Sequence, residues 1–532
     1  MPMNRLKAGL LAVSIAVSGA LFTAPDNMAM AAGTLKIANM GEPASLDPHY
    51  ISGTWESRIA GDLFMGLTTE AADGSIIPGA AESWKVSNGG KTYTFKIRDH
   101  LWSDGTPVKA SDFEFAMKRI LKPETASGYA SLLYIIKNAK QVNSGKASSD
   151  TLGVKALDDH TLQIDLEGPA PYFIALLSHY TTYPLPEHKV KELGKEWAKD
   201  SRLVSNGPYT LKEWTPNAQI ELVKNPKFYD AKDVSIDNVF FYPQEDRAAV
   251  LKRVRAGEID VATDFASSDL RWLKKNMPEY VRIAPYLGVY YYSLNFNNKA
   301  LKDVRVRQAL AMAIDRETLT DKVLRTGEIP AYSMVPPGTG TYGEPSYVSW
   351  KGMPQAEKVK EAQRLMKEAG YGKDNPLTVE LSYNTSENHK KIAIAIGAMW
   401  KKALGVKTTL SNTEVKVHYA NLDAKKFEVG RAGWIADYND PQNFLFLMED
   451  YNVKNYSGFD NDKFDELMRL AGREGDMEKR DNLMHQAEAI AMNELPNLPI
   501  YYYVSKQLVN PKVKGWIDNA GDKHPTRFLS VE

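Results

Sequence analysis

In the stretch FEVGRAGWIADYNDP (427–441), Arg431 and Asp437 stand six positions apart on either side of a Gly433-Trp434 pair. A guanidinium and a carboxylate so placed have three readings. They pair with each other, or Asp437 caps the polar turn DYNDP, or the two charges hold opposite ends of a zwitterion that enters from outside. The first half of the stretch has the pattern of a strand and the second that of a turn. The residues alone leave all three open.

Other reactive constellations fail on spacing. The nine histidines do not cluster, and the chain has neither a His-Glu-x-x-His pair for zinc nor a Gly-x-Ser-x-Gly nucleophile elbow. GGKT (89–92) lacks the glycine that a phosphate loop needs five positions earlier, where Lys85 stands, and a strand pattern follows it. DNDKFDE (460–466) has Asp465 where a calcium loop needs glycine. With no cysteine, thiol catalysis, thiolate metal sites and disulfides are excluded. No cofactor or metal is expected, and nothing in these residue patterns favours an enzyme. A secreted peptidase built on scattered Ser, His and Asp is the alternative from another class, and a holdase chaperone is a further one.

The elements that position such residues come from a chain of 532 residues, 43% hydrophobic and 25% charged, with 66 basic and 66 acidic side chains. At roughly 150 residues per domain the length suits three domains or two large lobes. A net charge of zero argues against a nucleic-acid partner. The N-terminus carries Arg5 and Lys7, a short apolar run broken by Ser14, Ser18 and Gly19, and small residues Ala29 and Ala31. This is the pattern of a secretory leader cut after Ala31, and the periplasm is the expected compartment. Without cysteine there is no site for a lipid anchor of the lipoprotein type.

SWKVSNGGKTYTFKIR (83–98) reads as a hairpin turned at Asn88-Gly89-Gly90, with Tyr93, Phe95 and Ile97 on one face. HTLQIDL (160–166) and AQIELVKN (218–225) read as strands. DVRVRQALAMAIDRETLTDKVL (303–324) reads as one helix capped by Asp303. A second helix starts near Pro354 and stops at Gly370, and a third spans 389–406 and ends at Gly405. The last two each lead into a strand pattern, giving an α/β region over about 290–445. Two triple-tyrosine runs, in 284–298 and 498–509, suit either core or a cleft wall.

Six segments carry a resemblance: SLDPH (45–49), WSDGTPVKASDF (102–113), NGPYTLKEW (206–214), RAGEID (255–260), DVRVRQALAMAIDR (303–316) and RAGWIADYNDP (431–441). In this order they resemble the peptide-class extracellular solute-binding proteins that serve ATP-driven importers, and within them the periplasmic oligopeptide-binding proteins of Gram-negative bacteria. The resemblance implies an α/β fold, two hinged lobes of mixed sheets flanked by helices. One lobe is expected over 33–64, 185–286 and 506–532, an inserted domain over 65–184 and the other lobe over 287–505. It implies a short peptide held as an added strand, its free amine on Asp437 and its carboxylate met by Arg431 and His389. The segment Gly433, Trp434 and Ile435 would run beside the ligand backbone. Tyr129, Tyr286 and Tyr291 would line the cleft, and Thr54 would offer backbone from the first lobe. The partner would be the membrane permease of an importer, and the receptor a monomer.

The chain departs from its nearest relatives at Leu422 and Leu324, where they carry basic residues, although Arg325 follows the second. These losses suggest a narrower peptide length range, or a specialist for murein tripeptide or another modified peptide. The relatives' cysteine pair is replaced by Gly288 and Ile435 together.

Overall fold

Two of the tyrosine-rich runs become the longest strands of the protein, of 14 and 13 residues, and the rest of the fold is arranged about them. The computed structural model describes residues 33–199 and 202–532; the expected leader and its cut after Ala31 lie outside them. One mixed sheet contains β1 (Gly33–Ala38), β2 (Tyr209–Thr215), β3 (Gln219–Lys224), β4 (Ile236–Tyr242), β5 (Val261–Ala262), β6 (Val281–Leu294), β7 (Ile329–Pro330), β8 (Thr378–Asn384), β9 (Lys407–Thr413), β10 (Val429–Ile435) and β11 (Asn497–Val509). Its spatial order is β9-β8-β10-β6-β11-β5-β1-β4-β3-β2, with β7 paired on β11.

β6 and β11 are antiparallel over their whole length, but their register shifts between Pro285 and Val289. Before the shift, residues 281–285 pair only with β11; beyond it, residues 288–294 also pair with β10. The two strands therefore join a group centred on β1 and β4 to a group centred on β8 and β10. Gly288 sits at this junction. A Cβ there would lie 2.5 Å from Ile435 Cδ1 and 3.0 Å from Tyr503 Cδ2, so the bulk of Ile435 requires the glycine opposite it.

A separate four-stranded antiparallel sheet forms within residues 81–165. Its hairpin turns at Asn88-Gly89-Gly90, and Tyr93, Phe95 and Ile97 are buried while Lys96 between them is exposed, the period-2 alternation of a one-sided sheet. The expected helices at 355–368 and 387–404 form with positive φ at Gly370 and Gly405 closing them. One continuous apolar core underlies both groups of strands, and a smaller one lies beneath the helix Arg247–Arg255.

The single helix expected over 303–324 is broken. It runs from Val304 to Met312 with Asp303 as its cap, restarts at Arg316 and widens into a π-helical turn from Leu319 to Leu324. Asp315 caps the restart by accepting from Thr318 N and Oγ1, each at 2.8 Å. Arg316 is fully buried and donates to the carbonyls of Ala311 and Ile314 at the break, and to Pro499 of β11. Side-chain bonds thus replace the helical ladder at the break and tie it to the sheet.

Candidate functional site

β10 delivers the opening stretch to a cavity of about 310 Å³. On one side β10 pairs with β6 from Val429 to Ile435; on the other, β8 reaches only Val429 and Gly430. The outer edge of β10 from Arg431 onward therefore has no strand partner among the described residues, and this segment lines the cavity. His418 Nε2 meets Arg431 O at 2.7 Å, so the free edge begins in earnest at Ala432. An unpaired, enclosed strand edge is a template for an incoming backbone.

Arg431 and Asp437 do not pair: neither lies within ion-pair distance of the other. Nor does the Asp437 carboxylate hold the turn. Asp440 does that, accepting from Gln442 N at 2.9 Å and taking a two-pronged bond from buried Arg480 at 2.8 and 2.9 Å. Asn443 braces Asp437 from behind: its Oδ1 accepts from Asp437 N at 2.8 Å and from Trp434 Nε1 at 3.0 Å, and its Nδ2 donates to Asp437 Oδ2 at 3.3 Å. The carboxylate is left facing the cavity with His179 Nε2 at 3.1 Å and no lysine or arginine paired to it among the described residues.

Arg431 is the mirror case. It donates to Asn384 Oδ1 (3.2 Å), Tyr419 OH (3.3 Å) and Tyr503 OH (2.7 Å), and its guanidinium lies 4.8 Å from the Tyr290 ring centre. All these partners are neutral, and its buried Nε has none. Gly433 makes room for this arrangement, because a Cβ there would meet Tyr503 OH at 2.5 Å and Arg431 Nη2 at 3.2 Å. His389 lies in the first turn of the helix Glu387–Leu404, half-buried with its ring 5.6 Å from the Tyr290 ring. Burial holds its imidazole well below the ordinary range, and the nearby Arg431 and Arg247 reinforce this. It is thus a neutral donor or acceptor rather than a cation.

Of the ten residues singled out from sequence, nine line this one cavity: Thr54, Tyr129, Tyr286, His389, Arg431, Gly433, Trp434, Ile435 and Asp437. Tyr129 stacks on Trp434 at 6.0 Å, joining the 65–184 segment to β10. Thr54 begins the helix Thr54–Leu63, whose entrance is organised by buried Glu56 accepting from the backbone of Ser52 and Gly53, each at 2.8 Å. Tyr291 is the exception. It is fully buried within the sheet and lines no part of the cavity, and neither do its equally buried neighbours Tyr290 and Tyr292, since both faces of β6 are covered there. The second tyrosine run supplies what the first does not: Tyr501 and Tyr503 line the cavity, while Tyr502 points away and donates to Ser333 O at 3.1 Å. Leu422 and Leu324 are buried away from the cavity, Leu422 against Gly430.

Sequence reasoning did not single out His179, Asn384, Asn443 or Tyr503, nor the charged group in which Asp264 pairs with Arg247 at 2.8 Å and approaches Lys506 at 3.8 Å. Their local patterns are those of ordinary surface or core positions. Only the third tyrosine of a run carried any signal.

Comparison with known proteins places this geometry. The chain is 40% identical over 519 residues to the periplasmic oligopeptide-binding protein OppA of Salmonella typhimurium, covering 96% of this chain and 95% of that one. It is 41% identical over 495 residues to the murein peptide-binding protein MppA of Escherichia coli, covering 92% and 91%. One structure of MppA matches with a TM-score of 0.91 over 94% of this chain and 99% of that one; its unliganded open form matches at only 0.68 over 94% and 98%. Haemophilus influenzae OppA in complex with RPPGFSPFR matches at 0.90 and 35% identity, covering 94% and 99%. The family described as bacterial extracellular solute-binding proteins, family 5 Middle, matches residues 75–456. This chain is a member of the bacterial extracellular solute-binding proteins of family 5.

Proposed function

We propose that the protein is a periplasmic receptor that encloses a short peptide between its lobes and passes it to the membrane permease of an ATP-driven importer. The observation that carries this reading is the pair of unmatched charges at the ends of one unpaired strand edge. A buried ion without a counter-ion is costly unless its partner arrives from outside, and a peptide's free amine and carboxylate are such partners for Asp437 and Arg431. The free edge of β10 supplies main-chain hydrogen bonds that ignore side-chain identity. From Ala432 to Ile435 is three strand steps, roughly 10 Å at 3.3 Å each, so the edge suits a ligand of about three to five residues.

In this reading one lobe spans 33–64, 185–286 and 506–532, the inserted domain 65–184, and the other lobe 287–505. The crossings at 286/287 and 505/506 then fall within β6 and β11, the first at the register shift between Pro285 and Val289 and the second just beside it. The two TM-scores to MppA fit motion about such crossings, since one relative is matched well in one form and poorly in its open form. The receptor acts as a monomer without cofactor, nucleic acid or catalysis, after removal of a leader ending at Ala31.

A second reading keeps the mechanism and narrows the ligand to murein tripeptide or another modified peptide. Similarity to MppA as high as that to OppA favours it. The test is calorimetric titration of ligand-stripped protein with trialanine and with N-acetyl-trialanine. Tight binding of the first and at least about a hundredfold weaker binding of the second is expected, since a missing buried partner is worth about 3 kcal/mol or more. Equal affinity for both refutes amine capture.

A further inference from the structure

One ionisable side chain lies against the Asp437 carboxylate. His179 sits at the N-cap of the short turn Tyr180–Thr182, in the 65–184 segment, and its ring is fully buried. Its tautomer is set locally. Nδ1 faces the Thr181 backbone N–H at 3.5 Å and the Thr181 hydroxyl at 2.9 Å, so Nδ1 accepts and Nε2 carries the proton. That Nε2 lies 3.1 Å from Asp437 Oδ1 yet is not aligned as a hydrogen bond, leaving a buried donor unsatisfied beside the site's unmatched carboxylate.

The surroundings put little other charge on this ring. The Tyr180 ring lies 3.9 Å from it and the Tyr129 ring 5.4 Å. Behind Tyr129 stands Lys454, its Nζ 5.9 Å from that ring, and behind Tyr180 lies the carboxyl group of Glu56. Glu70 is occupied with the neighbouring Ser178 hydroxyl at 2.7 Å. Asp437 is the only carboxylate within ion-pair distance of His179 among the described residues.

We propose that His179 is a positioning residue for amine recognition, one that makes capture of a free N-terminus depend on pH. The inference rests on the peptide-receptor reading above. As a neutral imidazole, His179 offers one N–H to Asp437 and leaves the carboxylate's full charge for the ligand's ammonium. As an imidazolium it supplies the counter-charge itself and repels the ammonium at the same oxygen. One proton then competes with one ligand charge, and affinity falls in acid. Histidine is the side chain whose charge changes between pH 5 and 8. His179 belongs to the 65–184 segment and Asp437 follows β10, so their pairing in acid joins the two segments while it weakens ligand binding.

The test is titration of ligand-stripped protein with trialanine at pH 7.5, 6.5 and 5.5 and constant ionic strength, for wild type, His179→Gln and His179→Asn. Either amide keeps an N–H donor and does not gain a proton in this range. Wild-type affinity is expected to fall towards acid, by at most about tenfold per pH unit, the limit for one exchanged proton. The variants are expected to bind more weakly than wild type at pH 7.5, by up to about fivefold, the value of one rearranged hydrogen bond, and to show a flat profile below it. A flat wild-type profile, or an acid loss of equal size in both variants, would overturn the proposal while leaving the receptor reading intact. Failure of wild type to bind trialanine at pH 7.5 would overturn the receptor reading and this inference with it. A purely structural role for His179 would lower the melting temperature of the variants without changing the shape of the profile, and that outcome also counts against it.

Discussion

Replacing Asp437 with Asn removes one charge and almost nothing else. The side chain is only 11% exposed, and Asn443 grips it through both the backbone N–H and one carboxylate oxygen; an amide oxygen serves the second contact equally well. The site holds this anion against a histidine and an asparagine, with no lysine or arginine among the described residues paired to it to offset its desolvation. Asp437→Asn is therefore expected to leave the ligand-free protein as stable as wild type or more stable, by up to about 1 kcal/mol, because an uncompensated buried charge is removed. Binding should move the other way. Losing one member of a buried charge pair costs about 2–5 kcal/mol, and about 3 kcal/mol corresponds to a roughly 150-fold weaker Kd. The assay pairs calorimetric titration of trialanine with urea unfolding of the stripped protein. If Asp437→Asn binds trialanine as wild type does, the carboxylate does not hold the amine. If both stability and affinity collapse, Asp437 is structural and the reasoning from its unmatched charge fails.

Three further outcomes follow from particular contacts. Gly433→Val forces a side chain onto the Tyr503 hydroxyl and the Arg431 guanidinium, so affinity should drop at least about tenfold while overpacking costs about 1–3 kcal/mol; Tyr503→Phe in the same chain should recover part of the stability measured by urea unfolding. Gly288→Ala should destabilise by a similar amount against Ile435 Cδ1, and combining it with Ile435→Ala should restore most of the loss, as coupled neighbours do. Burial lowers the pKa of His418 to about 4. The unfolded chain then takes up a proton, near the ordinary value of 6.5, that the folded chain refuses. Stability is thus full above that value and lost as pH falls towards about 4, by at most ~1.4 kcal/mol per pH unit for this one proton. His418→Gln, which keeps a donor for Arg431 O, should show a shallower acid slope in urea unfolding at pH 7, 5.5 and 4.5. Burial also lowers the pKa of His49, to about 3, so a residual slope remains.

Features set by neighbours along the chain were legible in the sequence. The hairpin turn at 88–90 and the helix ends at Gly370 and Gly405 depend on backbone conformations that glycine or asparagine adopts, and these leave a local signature. The break at Ala313–Asp315 left none. The apolar face of Val306, Leu310, Ala313 and Ile314 is buried as a continuous helix would bury it, and the break is stabilised by Arg316 reaching a carbonyl of β11, a contact set by tertiary structure. The same division holds in the site. DYNDP shows three acidic or amide side chains in a turn, but which of them holds the turn depends on Arg480, forty positions away, which claims Asp440 and leaves Asp437 to the cavity. Alternation separates Tyr291 from its neighbours without saying which face meets the cavity, and His179 has no local pattern that marks it. Family resemblance supplied the rest, because it encodes contacts that periodicity does not.

The most direct measurement is to purify the protein from the periplasm of a host that exports it, record its native mass spectrum, and denature it to sequence what is released. A mixed ladder of short peptides, each with a free N-terminus and about three to five residues long as the β10 edge suggests, is the expected result. A single species bearing diaminopimelate or a D-residue would keep the amine anchor and establish the specialist. Release of a non-peptide molecule, or of peptides with blocked amines, would contradict the assignment of Asp437 and with it the receptor mechanism.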